Sequence, residues 1–172
     1  MSDPQVLVMM GSDSDLTVMA EAAKVLTRLG IGHEVVVTSA HRTPERTMEI
    51  IKQAPGRGVR VFIAGAGAAA HLAGVVAAHT TLPVLGVPLA ASDLKGLDAL
   101  LATVQMPAGI AVGCLAIGKA GAANAGWLAA SILSVADERL AERLAEERRK
   151  MAEKVAAKSE AAQKRLGEIL SS

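Results

Sequence analysis

The chain has 172 residues, enough for one domain with a sizeable core, and its formal net charge is only +1. It carries no basic block and only two aromatic residues, Phe62 and Trp127. Both the electrostatic footprint and the stacking platforms of a nucleic-acid binder are therefore missing.

Cys114 is the only cysteine, which excludes an internal disulfide and gives no sign of secretion. No run of roughly 18 residues is free of Gly, Pro and charge, as a membrane span would need. The opening "MSDPQVLVMMGSD" lacks a basic segment and reads as a first buried strand, not a leader. The expectation is a cytoplasmic protein with neither membrane nor nucleic acid as partner.

In chain order, Val6–Met10 is an apolar run that ends at Gly11. Leu16, Met19, Ala23 and Leu26 then recur at helical spacing. Glu34–Val37 is a second strand, followed by a helix opened by Pro44, which has no amide hydrogen to lose in a first turn. "VRVFIAGAG" predicts a third strand and "HLAGVVAAHT" its helix. "PVLGVP" is a fourth strand, with "LKGLDALLATVQMP" supplying a short helix. "AVGCLAIG" is a fifth strand, and "AGAANAGWLAASIL" is a small-residue helix able to approach the sheet closely.

Strands apolar at every position, each followed by a helix, specify a parallel sheet covered on both faces. The fold class is α/β, a three-layer sandwich around a doubly wound, flavodoxin- or Rossmann-like sheet. Residues 1–136 are expected to form this domain. Residues 137–172 hold 17 of the 35 charged residues, so they read as a solvated helical extension of it.

In such sheets ligands bind beyond the carboxyl ends of the strands. The polar clusters fall there: "GSDSD" after the first strand, "SAHRTP" after the second, "AGAGAAAH" after the third. Gly11 suits a tight turn, and the amides at Ser12, Ser14 and Asp15, with a hydroxyl, suit a phosphate at a helix start. Asp15 can accept hydrogen bonds from ribose hydroxyls. Taken alone, the motif is read first as Ser14 or Asp15 simply capping the helix.

Gly65-x-Gly67-x-x-Ala70 loosely matches a dinucleotide fingerprint. It follows the third strand instead of the first, with no acidic residue near 20 positions on, so NAD is rejected. Of the four histidines, His33 and His79 sit at element ends and read as structural. No spacing suits a metal. His41 differs in sharing its loop with Ser39 and Arg42, although an idle surface histidine is an equal reading of the same residues. No nucleophile elbow is present.

Together "MGSDSD", "SAHRTP", "AGAGAAAHLAG", "LPVLGVP", "LKGLDALLATVQMPAG" and "LAIGKAGAANA" resemble, in order and spacing, the carboxyaminoimidazole ribonucleotide mutase family of purine biosynthesis. The resemblance spans residues 5 to about 136. It implies a homo-octamer with no metal or organic cofactor, acting on a small ribonucleotide by moving a carboxylate from exocyclic N5 to ring carbon C4. By the same resemblance His41 is the catalytic acid/base. Gly11, Ser12, Asp15, Ser39 and Arg42 bind substrate, and the loop with Ala66, Gly67, His71 and Leu72 closes over the carboxylate and CO2 region.

The chain departs from the family pattern at Ala68, where Gly is usual, at Ala73, where Pro is usual, and at Ala111 and Cys114. Two other readings compete: a carboxylase that uses CO2 directly on aminoimidazole ribonucleotide, and a non-catalytic nucleotide-binding module. The second leaves His41 and Arg42 without a purpose.

Overall fold

The computed structural model describes residues 3–171. Five parallel strands, β1 (Val6–Met10), β2 (His33–Val37), β3 (Val61–Gly67), β4 (Val84–Leu89) and β5 (Gly113–Cys114), lie in the order β2-β1-β3-β4-β5. The strands are joined in turn by α1 (Leu16–Arg28), α2 (Pro44–Gln53), α3 (Leu72–Ala78) and α4 (Leu97–Val104), and α5 (Lys119–Ser134) follows β5. This is the flavodoxin-like order, in which the chain leaves β1 toward opposite sheet edges and opens a crevice between β1 and β3.

All five residues of β1 have zero exposure, as a central strand covered on both faces requires. Successive side chains alternate between the faces. Leu7, Met9, Phe62 and Ala64 pack with Ile51 of α2 and with Leu72, Ala73, Val76 and Ala77 of α3. Fully buried Val6, Val8, Met10 and Ile63 have the opposite parity. On that face Met19 of α1 presses so close to Gly65 that a Cβ there would overlap its sulfur. The small-residue helix α5 lies close to α1, since a Cβ on Gly126 would come within 2.9 Å of Ala22 O and Val25 Cβ.

Three local expectations shift. The buried face of α1 is Met19, Ala22, Val25 and Leu26, while Leu16 is half exposed. Strand β2 lies at the sheet edge, so Val35 and Val37 are exposed. The fifth strand shrinks to two residues. Beyond it, single bonds from Leu115 N to Gly86 O and from Gly118 N to Pro88 O hold the segment against β4.

Two compact units are distinguished, Met1–Leu133 and Ser134–Ser172. The second contains one long helix, α6 (Glu138–Leu170), whose start is capped by Asp137 accepting from the amide of Leu140 at 3.0 Å.

Candidate active site

The loop after β1 is a short 3₁₀ turn, Asp13–Asp15, closed by a capping box. Ser12 Oγ accepts from the amide of Ser14 at 3.3 Å, and Asp15 Oδ2 accepts from the amide of Ser12 at 3.1 Å. Ser12 is thus the cap and Asp15 its reciprocal partner, while the Ser14 hydroxyl lies 2.8 Å from Ser12 Oγ. Burial pushes the Asp15 carboxyl above its ordinary range, the Ser12 amide pulls it back, and neighbouring Asp13 raises it further.

The loop after β2 is fixed by threonines. The amide of Thr38 donates to Met10 O at 2.8 Å, tying this loop to β1. The buried hydroxyls of Thr38 and Thr47 meet at 2.8 Å, and Thr43 both accepts from the amide of Ser39 and donates to its carbonyl. Ser39 Oγ in turn accepts from the amide of Arg42 at 3.1 Å. Ser39 therefore spends its hydroxyl on shaping the turn, and this turn presents His41 and Arg42 outward, both exposed.

The loop after β3 holds Ala68 in the left-handed region, φ 50°, a conformation that costs an alanine roughly 1–2 kcal/mol. Tight bonds follow, Ala70 N to Ala68 O at 2.8 Å and His71 N to Ala69 O at 2.9 Å. They place His71 Nδ1 3.0 Å from His41 Nε2, with the rings edge to face at 81°. Gly67 is required because Ala91, in the loop after β4, occupies the space a Cβ would take.

These loops enclose one cavity of about 280 Å³ over the crevice between β1 and β3, lined by Gly11, Ser12, Asp15, Ser39, His41, Arg42, Ala66, Gly67 and Leu72, among others. Every residue singled out from the sequence lines it except His71, which reaches it through His41. Ala91 also lines it and had no signal in the sequence, because the return of the β4 loop past Gly67 is a long-range event. A larger cavity of about 970 Å³ lies at the opposite end of β4, around Pro55, Thr80–Val84 and Ile110. Among the described residues Lys52 and His79 are its only ionisable lining groups. A third cavity, of about 670 Å³, is lined by Asp3, His33, Glu34, Arg57 and Arg60, but it lies at the amino ends of β1, β2 and β3. Ligands of such sheets bind beyond the carboxyl ends, where the smallest cavity gathers its polar groups. Among the described residues, no group of three or more His, Cys, Asp or Glu side chains is placed to hold a metal ion.

A hydroxyl, a carboxylate, a guanidinium and an imidazole gathered over the switch point of a parallel sheet define an α/β protein built to hold a small polar ligand. A family model described as AIR carboxylase matches residues 5–154, and the chain belongs to that family. It is 54% identical over 151 residues to the N5-carboxyaminoimidazole ribonucleotide mutase of Brucella melitensis, covering 88% of this chain and 93% of that one. To the mutase of the same name from Thermotoga maritima it is 50% identical over 157 residues, covering 91% of each. Among solved structures, Treponema denticola PurE superposes with a TM-score of 0.81 at 27% identity, covering 90% of this chain and 95% of that one.

Proposed function

We propose that this chain is an isomerase of purine biosynthesis that converts carboxyaminoimidazole ribonucleotide to the 4-carboxylated aminoimidazole ribonucleotide, with His41 as the proton shuttle. The observation that carries the assignment of roles is the single small cavity shared by Ser12, Asp15, His41 and Arg42. Family membership and relatives bearing the mutase name at 50–58% identity supply the reaction. They favour neither direct CO2 fixation nor a non-catalytic module.

Among the described residues no carboxylate pairs with the Arg42 guanidinium, which leaves its planar fork for a phosphate. Ser12 adds a hydroxyl and Asp15 an acceptor for ribose hydroxyls. The reaction needs one proton out and one proton back. As the N5–carboxyl bond breaks, an imidazolium at His41 protonates N5 and CO2 is released into the cavity. C4 of the electron-rich ring then attacks that CO2, and the new C4 centre gives its hydrogen, as a proton, to the now neutral imidazole. Imidazole suits both steps because it ordinarily titrates near neutrality. Gly67 and Ala66 let backbone approach the carboxylate closely, and Leu72 adds an apolar wall to the same cavity.

The working form is read as a cytoplasmic homo-octamer without metal or organic cofactor, with residues 1–136 as the catalytic domain and the C-terminal helix as its appendage. The test of function is turnover of the carboxyamino ribonucleotide with neither ATP nor added bicarbonate, in wild type and His41→Asn. The variant is expected to bind substrate and to lose about 10²–10⁴-fold in rate, the usual contribution of a positioned acid/base. Dependence on added bicarbonate would assign the direct carboxylase instead, and a variant with near wild-type rate would remove His41 from the chemistry.

A further inference from the structure

We propose that His71 is the positioning residue that pins a proton on Nε2 of His41, so that Nδ1 of His41 is the nitrogen that gives and takes the proton. The proposal rests on the acid–base role of His41 argued above. Its starting point is geometric. Between two ring nitrogens 3.0 Å apart, His41 Nε2 and His71 Nδ1, there is room for one hydrogen and no more. One ring donates and the other accepts.

The direction follows from the cycle. For part of each turnover His41 is an imidazolium, with hydrogens on both nitrogens. Its Nε2–H then points at His71 Nδ1, and only a bare lone pair there is compatible with the contact. If Nδ1 of His71 carried its own hydrogen, two hydrogens would be forced into that gap. His71 must therefore be neutral with its hydrogen on Nε2. When His41 gives up a proton, losing the bridging one would require His71 to exchange tautomers in the same step. Losing the Nδ1 proton requires nothing of its neighbour. The bridging hydrogen stays and Nδ1 turns over.

The backbone supports a fixed partner. His71 precedes α3 without using its side chain as a helix cap, and its amide is bound to Ala69 O directly after the left-handed Ala68. The edge-to-face ring arrangement restricts rotation of His41 about its own side-chain bonds. The charged groups that share the cavity with His41 are Asp15 and Arg42. No hydrogen bond joins the His41 ring to either of them, so among the described residues only Nε2 of its two ring nitrogens has a fixed partner.

The experiment uses the full chain and two substitutions of an exposed residue, His71→Leu and His71→Asn, the latter placing an amide oxygen near the position of Nδ1. Heteronuclear NMR of histidine-labelled protein, with His41 identified by its loss in His41→Asn, reads the neutral tautomer directly. His41 is expected to carry its hydrogen on Nε2 in wild type and to lose that preference in His71→Leu. In the assay, His71→Leu should lower kcat by about 10- to 100-fold, less than removal of the shuttle itself, with KM within about twofold of wild type. His71→Asn should recover most of that loss. A wild-type His41 hydrogen on Nδ1, a tautomer indifferent to His71→Leu, or an unchanged kcat in His71→Leu each overturns the proposal. If wild type does not turn over the carboxyamino ribonucleotide at all, the mutase reading fails, and the NMR result still decides whether His71 sets the tautomer.

Discussion

The carboxylate of Asp15 accepts the amide of Ser12 at 3.1 Å inside the candidate site, so one side chain both closes the loop after β1 and faces the ligand cavity. The raised Asp15 pKa, caused first by burial, has a definite sign. A carboxyl whose folded value lies above its unfolded one contributes stability below about pH 3.8, and that contribution is lost as pH rises through the folded value. At neutral pH the ionised Asp15 therefore opposes folding. Asp15→Asn keeps an acceptor for the Ser12 amide and should melt slightly higher than wild type at pH 7, the difference closing below about pH 3.8. Substrate affinity should fall by about tenfold or more, because a charged acceptor becomes a neutral one. Equal melting temperatures at pH 7 would show that the carboxylate is as well solvated here as in the unfolded chain.

Arg42 and Ser12 separate binding from stability. Arg42 is exposed, and among the described residues only its backbone amide holds the loop, so Arg42→Lys should leave the melting temperature unchanged while raising the substrate dissociation constant about tenfold, since an ammonium cannot reproduce the planar fork. Ser12 is also a helix cap. Ser12→Ala should weaken binding only about fivefold and also cost about 1 kcal/mol of stability. Calorimetric titration and thermal melts on the two variants check both halves. Negligible binding effects from both would place the phosphate elsewhere.

Ala68 gives a prediction of opposite direction. Its φ of 50° suits glycine, which adopts that region without steric cost. Strain relief exceeds the extra freedom that glycine has in the unfolded chain. Ala68→Gly should therefore stabilise the protein by up to about 1 kcal/mol, or about 2–4 °C in melting temperature for a chain of this size. A lower melting temperature would mean the loop does not hold Ala68 in that conformation.

The elements legible in the sequence are those whose signal is local. The all-apolar run of β1 and the glycine after it specify a buried strand and a turn, and Pro44 marks the start of α2 where the structure has it. The alternation of strand and helix suffices for the parallel sheet. What is not legible depends on neighbours distant in the chain. Val35 and Val37 look like core residues and are exposed, because strand order, not composition, puts β2 at an edge. Ala91 joins the cavity only through its approach to Gly67. The pairing of His41 with His71 spans 30 positions, and each imidazole alone carries no mark of the other.

Helix α6 carries a regular apolar seam along part of its length. Leu140 and Leu144, Met151 and Val155, and Ala162 and Leu166 form pairs four apart repeating every eleven residues, a period that keeps one narrow stripe on a nearly straight helix. Only the first pair is buried; Met151, Val155 and Leu166 are 43%, 67% and 54% exposed. Charged residues fill the other faces, including the Arg149–Glu146 and Lys150–Glu147 pairs, which at such exposure add little stability. A helix that is merely solvated has no use for a regular apolar seam, so the exposed half of the stripe is expected to pack in the proposed octamer. The triple substitution Met151→Lys, Val155→Lys and Leu166→Lys leaves the buried Leu140 and Leu144 untouched. It should lower the assembled mass read by light scattering, or its melting temperature, without altering the chemistry of protomers that remain assembled. Truncation after Asp137 should do the same more severely. Unchanged mass and melting temperature in both would reduce α6 to a solvated extension, and lost turnover at unchanged mass would place the helix in the site.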